Sequence, residues 1–323
     1  PFEANVPPRF EVADDLAQAE MLREARRELL ALVAAKPDGA EARALGLLAQ
    51  LAAQDSFETM VQEALRQRAL FSDENGRARD PQEMLAGIAG FLRIAPDLDA
   101  DAVRAAFRAE LADLPGLSAL IEALQAGSAT RQNLAATLRT LLAGQDDGDP
   151  VAFCRRGFIT EAGTINANIR GKGKSEFEGV LLATLEALAT CLLTAADDIN
   201  AVAIRDRSAA LALLVTRMLA SYQRQKSLRS LLDYDDLIAR TRSLLERVEA
   251  AWVLYKLDAG IDHILVDEAQ DTGEAQWAIL RKLAEEFTGG GDLRAKPRTI
   301  FVVGDEKQSI YGFQGAAPAA FGE

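Results

Sequence analysis

Two short apolar runs near the C-terminal end constrain this chain most: Ile264-Leu265-Val266 and Ile300-Phe301-Val302-Val303 carry no polar alternation. A half-exposed strand alternates apolar and polar residues, whereas a strand covered on both faces does not. Each run is therefore expected to be an inner strand of a parallel sheet flanked by helices. A helix-patterned stretch from about Thr272 to Phe287 and a Gly289-Gly290-Gly291 loop separate the runs. That order predicts a strand–helix–strand unit, with strands over 261–266 and 298–303 joined by a right-handed crossover. Both strands run into acids, Asp267-Glu268-Ala269-Gln270-Asp271-Thr272 after the first and Gly304-Asp305-Glu306-Lys307-Gln308 after the second. Ligands of open α/β sheets bind beyond the carboxyl ends of the strands, so these two loops form the expected rim of a site.

The residue types suit nucleotide hydrolysis. An Asp directly after a buried strand can hold the magnesium ion that bridges nucleotide phosphates, which makes Asp267 the metal candidate. Glu268 beside it is placed to orient or deprotonate an attacking water. Gln270 and Gln308 are neutral donors suited to sensing a terminal phosphate. Taken alone, Asp-Glu after a strand is equally well explained by Asp267 capping the next helix. The longer run from Gln308 to Ala316 is not explained by capping.

These residues carry a resemblance. Residues 261–272 resemble motif II, and 303–316 motif III, of the UvrD/Rep/RecB superfamily-one DNA helicases, with the AddA branch as the nearest likeness. Asp233-Tyr234-Asp235-Asp236-Leu237-Ile238 resembles a segment these helicases carry ahead of motif II, and Ala4-Asn5-Val6-Pro7-Pro8-Arg9-Phe10 resembles the stretch after motif Ib. The resemblance implies an α/β, predominantly helical fold: a partial P-loop NTPase (RecA-like) motor core with a large all-helical insertion of the 1B type. It implies an edge segment of motor domain 1A over 1–12, the insertion over 13–227, and the remainder of domain 1A over 228–323. It also implies ATP and Mg²⁺ as cofactors, single-stranded DNA and a duplex end as substrates, and an AddB-like partner subunit. By the same resemblance Asp267 holds Mg²⁺, Glu268 activates water, Gln270 and Gln308 meet the nucleotide, and Gln308 couples the phosphate to the DNA site. The resemblance also implies that Tyr311 and Phe313 stack on bases of single-stranded DNA, a contact worth about 1–3 kcal/mol per base, against the plainer view that Phe313 is a core residue. Gln314 departs from the Arg common in the wider family, so no charge contact is expected there.

A P-loop requires Gly-x-x-x-x-Gly-Lys-Ser/Thr after a strand. Gly173-Lys174-Ser175 is the nearest approach, but Asn168 stands where the first Gly belongs and the upstream residues make a poor strand. Gly171-Lys172-Gly173-Lys174 reads as a flexible basic loop. The resemblance then places the P-loop before Pro1 and the second motor domain, with a nuclease domain in the AddA and RecB branch, after Glu323. The isolated chain is expected to be inactive as an ATPase.

Between Asp14 and about Ser227 the chain is Ala- and Leu-rich with helical spacing. Asp14-Asp15 opens a helix bearing Leu16, Met21, Leu22, Leu29, Leu30 and Val33, and Pro37-Asp38-Gly39 ends it. Further breaks are expected near 72–76, at Asp80-Pro81, Pro96-Asp97, Pro115-Gly116, Gly127-Ser128 and the acidic turn 144–150. Glu176–Asp197 reads as a buried bundle helix, and Asp198–Ser227 as a second helix that mixes Leu211, Leu213, Leu214 and Val215 with basic residues. Asp233 or Asp235 caps a helix through Leu245, and a short helix carries Trp252, Leu254, Tyr255 and Leu257.

A net charge of −13 argues against a surface that is basic throughout, though not against a local track. Arg217, Arg224, Lys226 and Arg229 gather around Tyr222, and Arg155, Arg156, Arg170, Lys172 and Lys174 form a second group. Arg224 and Lys226 are the DNA-contact candidates, against the plainer view that each group is a solvated helix face. Two cysteines, Cys154 and Cys191, are too few for a disulfide framework, and His263 has no partners for metal or triad chemistry. No uniformly apolar run reaches the roughly eighteen residues of a membrane span and no leader is visible, so a cytoplasmic protein is expected. The alternative function is a helical DNA- or protein-binding module attached to a non-catalytic motor remnant.

Overall fold

The computed structural model describes residue 4, residues 6–50, 59, 61, 63–64, 67–72, 79–145, 148–171, 176–246, 261–288 and 298–305. The chain divides into two compact units, one formed by residues 1–81 with 210–323 and the other by 82–209. Both boundaries fall within the stretch expected to form one insertion over 13–227.

In the first unit, β1 (Glu11–Val12) and β2 (Leu231–Leu232) pair in parallel, Glu11 opposite Leu231. The helix α1 (Asp15–Ala35) starts where expected, because the Asp14 carboxylate accepts the Ala17 N–H at 2.8 Å. Its buried stripe is Met21, Ala25 and Leu29, a four-residue spacing that keeps them on one face. Ala25 and Leu29 pack with Ala44 and Leu48 of α2 (Ala40–Ala49) and with Ala210, Leu214 and Met218. Leu16 and Leu30, assigned to that stripe from spacing alone, are exposed.

The second unit is helical among its described residues: α3 (Pro81–Leu92, entering from the first unit), α4 (Ala100–Ala112), α5 (Leu117–Gln125), α6 (Ala129–Leu142) and the short α7 (Pro150–Arg155) and α8 (Ala167–Arg170). The expected breaks at 96–97, 115–116, 127–128 and 144–150 lie between these helices. Val103, Phe107 and Leu111 of α4, Leu120 and Leu124 of α5, and Leu134 and Leu138 of α6 share one core. Gly116 has φ +80, and a Cβ there would lie 2.7 Å from Thr184 Oγ1, so both conformation and space require glycine.

The two helices expected over 176–197 and 198–227 are one, α9 (Gly179–Arg229, 51 residues). Asp197-Asp198 does not interrupt it, because an Asp inside a helix costs only about 0.7 kcal/mol relative to Ala. Burying a Leu contributes roughly 1.5–3 kcal/mol, and Leu185, Leu188 and Leu192 are all buried on this helix. By length and composition α9 is apolar enough to cross a membrane. Those leucines are part of the second unit's core. Cys154 and Cys191 lie in the same core, and burial pushes both thiols up to about 12, which disfavours the nucleophilic thiolate.

Returning to the first unit, β2 leads into α10 (Tyr234–Glu246). The short helix expected around Trp252–Leu257 lies outside the described residues. β3 (His263–Val266) and β4 (Thr299–Val302) pair in parallel through all four positions, with α11 (Glu274–Thr288) between them in sequence. The strand–helix–strand order and parallel pairing are as expected. Coverage of both strand faces is not: Leu265 is 71% and Phe301 61% exposed. Among the described residues this sheet is two strands wide, and α11 packs against α10, so neither strand is an inner one.

Candidate active site

The backbone brings the two strand tips together. Val303 N–H donates to Val266 O and Ala269 N–H to Val303 O, each at 2.9 Å, so pairing continues past the strand ends. His263 and Thr299, opposite one another at the other end, meet through Nδ1 and Oγ1 at 2.9 Å, a structural role for the histidine. After Val266 the chain turns sharply. Glu268 takes the left-handed conformation (φ 50, ψ 45), unusual for a residue with a Cβ, and opens a 3-10 turn over Ala269–Asp271. Asp267 Oδ1 accepts the Glu268 N–H at 3.0 Å and does not cap a helix. α11 begins only at Glu274, where Gln276 Oε1 accepts the Gly273 N–H at 2.8 Å, so Asp271 and Thr272 precede it.

Gln270 is the internal strut. Only 3% exposed, it donates from Nε2 to Glu268 Oε2 at 2.6 Å and accepts the Asp305 N–H on Oε1 at 2.9 Å. It was expected to face a terminal phosphate; instead its amide is spent on protein groups of both loops. Gly304 makes the approach possible. A Cβ there would lie 2.7 Å from Gln270 Oε1 and 3.0 Å from Ala269 Cβ. The Gly-Asp directly after an apolar run was visible in the sequence, but its partner across the loops was not.

Asp267 and Glu268 are both exposed, and among the described residues no Lys or Arg pairs with either. A surface carboxylate pair without a cation, at the tip of a parallel strand, fits a site completed from outside. No described cluster of three or more metal-ligating side chains exists. Magnesium in nucleotide sites needs only one or two carboxylates besides phosphate and water, so Asp267 fits that ion. Gln308, Tyr311 and Phe313 lie outside the described residues.

The other acidic motif behaves oppositely. Asp233 is 1% exposed, and its carboxylate accepts from Arg68 Nη1 at 2.8 Å and Nη2 at 2.7 Å, from Tyr222 Oη at 2.9 Å, from Lys226 Nζ at 2.7 Å and from the Asp236 N–H at 2.9 Å. Asp236 Oδ2 accepts the Asp233 N–H at 3.2 Å, completing a reciprocal cap at the start of α10. Burial alone raises the Asp233 carboxyl, but Arg68 and Lys226 outweigh it and hold it well below the usual carboxylate range.

Lys226 therefore needs correction as a DNA contact. It is 1% exposed, its ammonium lies between Asp233 and Asp236, and it sits 4.7 Å from the centre of the Tyr222 ring. Helical spacing suggested a basic face, but a lysine one turn after a tyrosine and shortly before three aspartates is better satisfied inward. Arg224 is more than half exposed and bonds Glu28, whose carboxyl is lowered by Ser221 and then by Arg224 itself. Nothing in the sequence tied Arg68 to Asp233, 165 positions away.

A family comparison decides the class of the chain. The UvrD/REP helicase N-terminal domain matches residues 8–323. The chain belongs to that family. It is a superfamily-one helicase N-terminal domain. Similar relatives include the ATP-dependent DNA helicase PcrA of Staphylococcus aureus strain Mu50 and that of Staphylococcus epidermidis, each 40% identical over 103 residues. That stretch is 32% of this chain and 12% of each relative, so the matched part spans a small fraction of the curated relatives' length.

Proposed function

We propose that this chain is the central stretch of an AddA-like, ATP-driven DNA helicase acting in recombinational repair of double-strand breaks. Its cofactors are ATP and Mg²⁺, and its partners are single-stranded DNA, a duplex end and an AddB-like subunit, in the cytoplasm. The observation that carries the reading is the exposed Asp267-Glu268 pair at the tip of the parallel strands, without a cationic partner among the described residues. Asp267 would hold the ion, which when bound supplies charge stabilisation at the phosphates. Glu268 would accept the proton of the attacking water, being exposed and bonded to Gln270 through Oε2. Gln308 would report the phosphate to the DNA site, with Tyr311, Phe313 and Arg224 on the DNA. Residues 82–209 would serve as the helical insertion that meets duplex or partner.

The test is Glu268→Gln in the full-length gene product. Loss of a catalytic base lowers turnover by about 10²–10⁴-fold. DNA-stimulated ATPase should fall by that order while nucleotide binding persists. Unchanged hydrolysis would remove Glu268 from the mechanism. The chain as given, which carries no P-loop pattern, is expected to show no ATPase by itself.

A further inference from the structure

We infer that Gln270 is the positioning residue for Glu268, setting its carboxylate according to where the Gly304–Asp305 backbone sits. The inference rests on the proposed hydrolytic role of Glu268 and adds a connection that the role alone does not require.

The chain of contacts is continuous. Asp305 N–H donates to Gln270 Oε1, and Gln270 Nε2 donates to Glu268 Oε2. An amide is the side chain suited to this, because it must accept from one neighbour and donate to the other. The amide orientation is fixed by the same logic. Turned over, its oxygen would face a carboxylate oxygen at 2.6 Å and its NH₂ would face an N–H. The strut is also short of slack. Gln270 is buried, Ala269 beneath it is wholly buried, and Gly304 leaves no room for a methyl group between the loops. A shift of the Gly304–Asp305 backbone is therefore passed to the Glu268 carboxylate, leaving Oε1 of Glu268 for a water. The second loop leads directly into the residues proposed to hold DNA, so the strut gives DNA occupancy a route to the catalytic carboxylate. It does so through protein contacts, without Gln270 touching nucleotide.

The experiment uses the full-length gene product, ATP and a single-stranded oligonucleotide. Gln270→Ala should lower DNA-stimulated kcat about tenfold, the lower end of what misplacing a catalytic group costs, with KM for ATP within about twofold of wild type. Gln270→Glu keeps an acceptor for the Asp305 N–H but loses the donor to Glu268, so kcat should fall in the same pattern with KM held. Gly304→Ala, which pushes on Gln270 Oε1, should lower kcat in the same pattern as Gln270→Ala. Should Gln270→Ala fail to fold, the nearly isosteric Gln270→Glu carries the test through the same separation of kcat from KM. An unchanged kcat in Gln270→Ala or in Gln270→Glu would overturn the inference. So would a raised KM at unchanged kcat, which would make Gln270 a nucleotide contact. If Glu268→Gln is inactive while the Gln270 variants are normal, only this strut is lost. If Glu268→Gln is itself active, the hydrolytic site is wrong.

Discussion

Asp233 and Glu268 each stand in an acid-rich motif just after a short strand, and the fold treats them in opposite ways. Asp233 is buried under an arginine, a lysine, a tyrosine hydroxyl and a backbone N–H. Glu268 is exposed, in a left-handed backbone, with a neutral amide as its described side-chain partner. The first carboxylate is saturated by its own chain and is therefore structural. The second keeps capacity for a group from outside. Acid content alone does not distinguish a clamp from a site; the number of donors already committed does.

Removing Asp233 should give the largest effect on stability. Asp233→Asn removes the acid that Arg68 and Lys226 share and leaves each with one remaining acidic partner, Asp235 and Asp236, and breaking a buried pair costs roughly 3–5 kcal/mol. Urea denaturation of this chain should show a large fall in midpoint. The pH dependence has a definite sign. The Asp233 carboxyl is lowered in the fold, so its contribution is present above the ordinary carboxylate value of about 4 and fades as pH falls through the lower folded value. The gap between wild type and Asp233→Asn should accordingly narrow in acid. A gap independent of pH would mean that Asp233 is not held as an ion.

A smaller change sharpens the same contrast. Tyr222→Phe removes one donor to Asp233 while keeping the ring under Lys226, and should cost about 1.5–3 kcal/mol, the range for hydrogen bonds to charged groups. At the strand tip two terms oppose. Glu268→Gly relieves a left-handed backbone that costs a residue with a Cβ about 1–2 kcal/mol, but it takes the acceptor from buried Gln270 Nε2 and adds the greater freedom of glycine when unfolded. Thermal melting should therefore find only a small net change in this variant, although it lacks the proposed base. A clear destabilisation would make Glu268 part of the scaffold. The smallest effect is expected for Arg224→Ala. Its pair with Glu28 is solvent-exposed and worth at most about 1 kcal/mol.

The helices were largely legible because Pro, Gly and Asp stand between them. Asp14 caps α1 as its position before an apolar stripe implied, and the turns at 96–97 and 115–116 separate real helices. The single helix across Asp197-Asp198 was not legible, since weak local preferences there yield to packing by leucines on either side. Strand pairing was readable from the two apolar runs, but their exposure was not, because sequence cannot say how wide a sheet is. At the site, Asp267 and Glu268 were found from their place after a strand. Gln270 was found for the wrong reason: its type indicated a polar contact, whereas its partner, the Asp305 N–H, lies 35 positions away. Lys226 failed in the same manner, since its partners become neighbours only once β2 turns the chain into α10.

Whether the exposed Glu268 carboxylate is a base decides the proposed mechanism. Single-turnover ATP hydrolysis by the full-length gene product on saturating single-stranded DNA, comparing wild type with Glu268→Gln, tests this directly. A rate lower by about 10²-fold or more with ATP still bound is the predicted result. Equal rates would contradict it.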